Sequence, residues 1–166
     1  MDPRKLFYDQ RLNTSCAYCG LAQETRDHVP GKVFLDEPYP ENLGIVMSCD
    51  RCNNEASKDE VYVACLIDCI ISGSADPDKL QRNGLGRTLA GEPSLRKRIA
   101  ASCVPNPDGS LIWNPERERV KKIMLKLARG HVAYDLADPK VEEPDSFSKE
   151  ANAKWSWAFI QKFPDN

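Results

Sequence analysis

Two Cys-x2-Cys pairs, Cys16/Cys19 and Cys49/Cys52, bracket the tetrapeptide Asp27-His28-Val29-Pro30. A Cys-x2-Cys turn lets two thiolates reach one ion, and two such pairs complete the tetrahedron of a structural zinc site. The insert between the pairs, residues 20–48, is longer than the commonest zinc-ribbon insert. The staple is therefore expected to close a loop with a job of its own. That loop carries Asp27, His28 and Asn42, and Asn53 directly follows the last cysteine of the set. A histidine can take a proton from water near neutral pH, which is one of the things phosphodiester hydrolysis requires. The plainer reading of the same residues is a bare zinc-stapled scaffold with His28 as a polar surface residue.

These residues need elements to hold them. Gly20 supplies permissive backbone just after the first cysteine turn. Short strands are expected around 27–30, 32–35 and 43–47, with Pro38, Pro40 and Gly44 in the loop between. A short helix should start near Asp50 and set Arg51, Asn53 and Asn54 beside the His28 strand. Ser57-Lys58-Asp59-Glu60 has the form of a capping box, so a second helix is expected from about Lys58 to Ser72, ending at Gly73. Its apolar residues lie on nearly every side, which predicts a central or interface helix. Cys65 and Cys69, four apart with no third ligand nearby, read as small core residues.

Beyond Gly73, Asp76-Pro77 opens a short helix that Gly84 should end, and Glu92-Pro93 opens another through about Ser102. Val104 and Leu111-Ile112-Trp113 flank Pro107-Asp108-Gly109 as a hairpin. Asn114-Pro115-Glu116 signals a further helix, with Val120, Ile123, Met124, Leu127 and His131 on its packed face. His131 reads as a packed residue that complements the helix end. Residues 138–148 are acidic and contain prolines, as a linker would. Trp155, Trp157, Phe159 and Phe163 recur as an aromatic stripe that suits core packing.

The class follows as α+β: a zinc-stapled module over residues 1–72 and a mainly helical region with a short hairpin over 73–166. The chain of 166 residues has 41% hydrophobic and 29% charged residues, the balance of a globular protein rather than a disordered one. Seven cysteines, an odd number with four in metal spacing, fit a reducing compartment better than a disulfide framework. No apolar run reaches the length of a membrane span and no signal-peptide core follows the first residues, so a cytoplasmic location is expected. The net charge is −2, from 23 basic and 25 acidic residues. Any grip on nucleic acid must then come from a local basic patch. Lys32, Arg51 and Lys58 lie near the cysteine module; Arg96-Lys97-Arg98 and the stretch from Arg117 to Arg129 read as solvated helix faces.

Residues 16 to about 60 resemble the zinc-stapled branch of the HNH endonucleases. The resemblance rests on Cys16-x2-Cys19, Asp27-His28-x-Pro30, Asn42-Leu43 and Cys49-x2-Cys52-Asn53. It implies a beta-beta-alpha-metal module with Zn2+ closed and structural on Cys16, Cys19, Cys49 and Cys52. It further implies His28 as general base, Asp27 and Asn53 on a catalytic divalent ion, and Asn42 holding the His28 loop. Such oxygen ligands suit Mg2+ or Mn2+. Two departures stand out. Asn42 and Asn53 are slightly farther apart than in many members, which brings Asn54 in as the alternative ligand. Ala56 stands where a lysine is often found. The resemblance implies an enzyme that cuts DNA, with a partner protein conferring specificity or activation. A catalytically silent zinc module that binds nucleic acid or protein, and a nuclease for RNA, are the alternatives.

Overall fold

The computed structural model describes residues 15–142. The expected aromatic stripe from Trp155 to Phe163 lies outside them, as does most of the expected linker.

The chain begins with the first cysteine turn and enters β1 (Thr25–Val29), which pairs antiparallel with β2 (Gly44–Ser48). Asp27 faces Val46 and His28 faces Ile45 across the pair. Side chains alternate between faces along a strand. Asp27, Val29, Val46 and Ser48 therefore share the buried face, while Arg26 and His28 lie on the other. Between the strands, Lys32–Phe34 forms a 3-10 turn rather than the expected strand. Pro30 before it and two prolines soon after it leave too few free amides for a paired edge.

One helix, α1 (Asp50–Ser72), replaces the two expected from the sequence. Neither Gly nor Pro interrupts residues 50–58, so nothing breaks it. The apparent capping box at Ser57 falls inside the helix. The true cap is Cys49, whose sulfur accepts the Cys52 amide. Gly73, at φ +62°, ends the helix in the left-handed conformation that its missing Cβ permits.

A 3-10 turn at Pro77–Lys79 leads to α2 (Asn83–Gly91), which starts where the Asp76-Pro77 helix was expected to stop. Asp68 accepts the amides of Gln81 and Arg82 and so fixes the turn that precedes α2. Then come α3 (Pro93–Ala101), the hairpin of β3 (Cys103–Pro105) with β4 (Leu111–Trp113), and α4 (Arg117–Leu136).

Among the described residues, two apolar clusters hold the fold. The larger one joins Tyr62, Cys65, Leu66 and Cys69 of α1 to Leu89, Ile99 and Ile123, so α1 is the central helix and Cys65 and Cys69 are core residues. The smaller one joins the cysteine turns and the β1–β2 face to Ala133 of α4. Here α4 comes very close to the hairpin. A Cβ on Gly130 would lie 3.0 Å from Val29, and one on Gly44 would lie 3.0 Å from the Tyr134 ring. The buried stripe of α4 is thus Ile123, Lys126, Gly130 and Ala133, and Met124, expected on the packed face, is 45% exposed.

A four-cysteine centre beside a buried ionic cluster

Cys16, Cys19, Cys49 and Cys52 come together as expected, with their sulfur atoms all within 4.8 Å of one another. The Cys19 and Cys49 sulfurs are 3.7 Å apart. Zn–S bonds of ~2.3 Å give a tetrahedron with an edge of ~3.8 Å, so the spacing suits one zinc ion. The local fold explains the gathering. Gly20, at φ +73°, bends the chain back so that its amide reaches the Cys16 carbonyl, and the Tyr18 amide points at the Cys16 sulfur. The second pair sits at the α1 N-terminus, where the Cys52 amide donates to the Cys49 sulfur.

Electrostatics supports a cation there. Burial would raise the Cys16 thiol, but amides from Cys49, Tyr18 and Cys19 outweigh it and bring the value down to about 7. Cys52 moves the other way, pushed well up by burial and then by hydrogen bonds to Cys49 and Cys19. Four thiols packed this closely cannot all ionise unless a positive ion compensates them, as a zinc ion held there would. The donor set fits a structural metal.

Next to this centre lies a cluster of charges that the sequence did not announce. Asp27, 8% exposed, receives the Tyr18 hydroxyl at 2.9 Å and the Lys126 ammonium at 2.6 Å, both on Oδ2. Lys126, also 8% exposed, makes a second contact of 2.6 Å with Glu60 Oε1 and stands 5.3 Å from the Tyr18 ring centroid. One ammonium thus bridges two carboxylates from β1 and α1, and burial makes each charge depend on the others. Burial and then the negative charge of Asp27 raise the Tyr18 phenol far above its ordinary value, so it stays a donor.

His28, Gly31, Glu60 and Lys126 border one narrow crevice. The His28 imidazole is half-buried, and burial, followed by the charge of Lys32, holds it below its ordinary value against the opposing pull of Asp27. Asn42 is exposed in the turn leading into β2. Asn53 is half-buried in the first turn of α1, its amide bonded to the Cys49 carbonyl, and Asn54 is exposed. Asn53 and Glu60 are seven residues apart and so share a helix face, about 10 Å apart along the axis. His131 lies 3.4 Å from Asp135, on α4 rather than in the crevice.

Sequence reasoning missed Tyr18, Glu60 and Lys126. The available signal was Lys126 itself, a lysine only one residue from the apolar stripe of α4, which argues against a fully solvated position. No helix of the described residues is long and apolar enough to cross a membrane. No family model, curated protein or solved structure matches this chain.

Proposed function

We propose that the chain is a metal-dependent endonuclease of the HNH type, hydrolysing phosphodiester bonds in DNA. The observation that carries this reading is the order strand, strand, helix, with His28 near the end of the first strand and four sulfurs tying the start of the hairpin to the start of α1. In this reading the staple holds the His28 strand still relative to α1. His28, neutral at pH 7, takes the proton of the attacking water through its imidazole. Asp27 and Asn53 would hold Mg2+ or Mn2+, through Asp27 Oδ1, which lies outside the Tyr18 and Lys126 contacts, and the Asn53 carbonyl. That ion, when bound, offsets charge building on the phosphate and the leaving oxygen. Asn42 steadies the loop that follows the His28 strand.

One observation favours a second reading. Lys126 already satisfies Asp27 Oδ2, so Asp27 has a structural partner without any divalent ion. A zinc module without catalysis would be built in the same way.

Supercoiled plasmid incubated with Mg2+ or Mn2+ separates the two. Wild type should nick or linearise it, while His28→Ala, shown by metal analysis to retain one zinc per chain, should lose at least about 100-fold in rate. Zinc-loaded wild type that cuts neither plasmid nor single-stranded DNA or RNA would leave the silent module as the better account.

A further inference from the structure

A second concavity of about 380 Å³ opens where the Lys32–Phe34 turn and the loop after it face the first turn of α2. It begins at Lys32, next in sequence to Gly31, which borders the His28 crevice. Its volume lies in the range of small-molecule sites and suits one nucleotide of a longer strand.

The wall is rigid. Arg82 holds it with three hydrogen bonds: Nε to Asp36 at 2.6 Å, one guanidinium nitrogen to the Val33 carbonyl at 2.9 Å, and the other to the Leu35 carbonyl. A charge count then gives the groove its sign. Of the two lining carboxylates, Asp36 is paired with Arg82, and Glu37 accepts the Tyr39 hydroxyl. Two cations remain. Arg87 is exposed and has no ion-pair partner among the described residues, while the Lys32 ammonium lies over the Tyr39 ring at 5.2 Å. An exposed arginine without an ion-pair partner and a lysine beside an aromatic ring are contacts of the kind a single nucleic-acid strand uses.

We propose that this groove seats the substrate strand: a single-stranded segment of DNA runs through it, with Lys32 and Arg87 on phosphates and Tyr39 against a base. The strand then continues toward His28. This deepens the endonuclease reading and rests on it for direction, but strand binding can be measured without cleavage.

The test is fluorescence anisotropy with a short labelled single-stranded oligodeoxynucleotide and zinc-loaded full chain. Binding is read in the His28→Ala background without added divalent ion, so that no strand is cut. Lys32→Glu combined with Arg87→Glu should raise Kd at least about 10-fold, and the neutral pair Lys32→Gln with Arg87→Gln should lower the salt slope by ~1.4, about 0.7 per phosphate contact. Tyr39→Ala should weaken binding with little change in that slope. Reversing Lys97 and Arg117, exposed on α3 and α4, should leave Kd within about twofold. The proposal is overturned if the Lys32 and Arg87 variants, zinc-loaded and helical by circular dichroism, bind like the parent, or if the Lys97 and Arg117 control loses as much. Normal groove-dependent binding by a wild type that never cuts would instead sink the endonuclease reading and keep the groove.

Discussion

Lys126 carries its charge to a place that water barely reaches, where it has two carboxylates within 2.6 Å and an aromatic ring beneath it. Removing one member of a buried ion cluster leaves the others charged and unpaired, which costs far more than an exposed pair is worth. Lys126→Met should therefore destabilise the protein by about 3 kcal/mol, read from urea denaturation, even though it conserves volume. Tyr18→Phe removes a single hydroxyl donor to a carboxylate and should cost about 1.5 kcal/mol. A cost near zero for Lys126→Met would mean that the ammonium is not held there in solution. Beyond the place of Lys126 beside an apolar stripe, little of this was legible beforehand, because Asp27, Glu60 and Lys126 are far apart in the chain and each has a local explanation. Glu60 completed an apparent capping box, Lys126 belonged to a basic stretch, and Asp27 was tied by resemblance to a metal. The four cysteines were legible for the opposite reason: Cys-x2-Cys spacing is a local constraint that already encodes half of the geometry.

At the scale of elements, one very close contact is where α4 crosses the hairpin. Gly130 and Gly44 face Val29 and the Tyr134 ring at a distance that leaves no room for a side chain. Gly130→Leu should push α4 off β1 and cost about 1–3 kcal/mol, seen as a lower Tm. Combining it with Val29→Ala should recover part of the loss, because the two changes share one contact. The α4 helix itself was readable from Asn114-Pro115-Glu116 and its apolar spacing, but the position of its buried stripe was not. Met124 is large and apolar yet points outward, while Gly130 and Lys126 point inward because of what the hairpin and Glu60 present to them. Tertiary partners settled that choice, and no window of α4 contains them. The Lys32–Phe34 turn was misread in a similar way: its residue types favour a strand, but the flanking prolines and the absence of a pairing partner do not.

At the scale of the whole molecule, the described residues form two cores with different chemistry, one apolar and one built around sulfur. They should fail separately. A strong chelator, or Cys16→Ser, should strip hydrogen-exchange protection from residues 16–48 while most of the helical circular dichroism survives. Leu89→Ala, at a fully buried position in the apolar core, should do the reverse: a loss of about 2–5 kcal/mol in global stability with the zinc still bound. If chelation abolished the helical signal as well, the two clusters would form a single cooperative unit.

Helix α1 is shared by both cores: its first turn holds Cys52, its middle carries Glu60, and its later turns fill the apolar centre. Because the helix is continuous, the angle between staple and core is fixed by counting residues. One residue inserted between Asn54 and Ala56 would turn everything after it by about 100°, swinging Glu60 away from Lys126 and the core face away from α2 and α4. Seven inserted residues would restore the rotation to within about 20° but lengthen the helix by about 10 Å. The few residues after Cys52 are therefore where the phase of the staple against the apolar core is set.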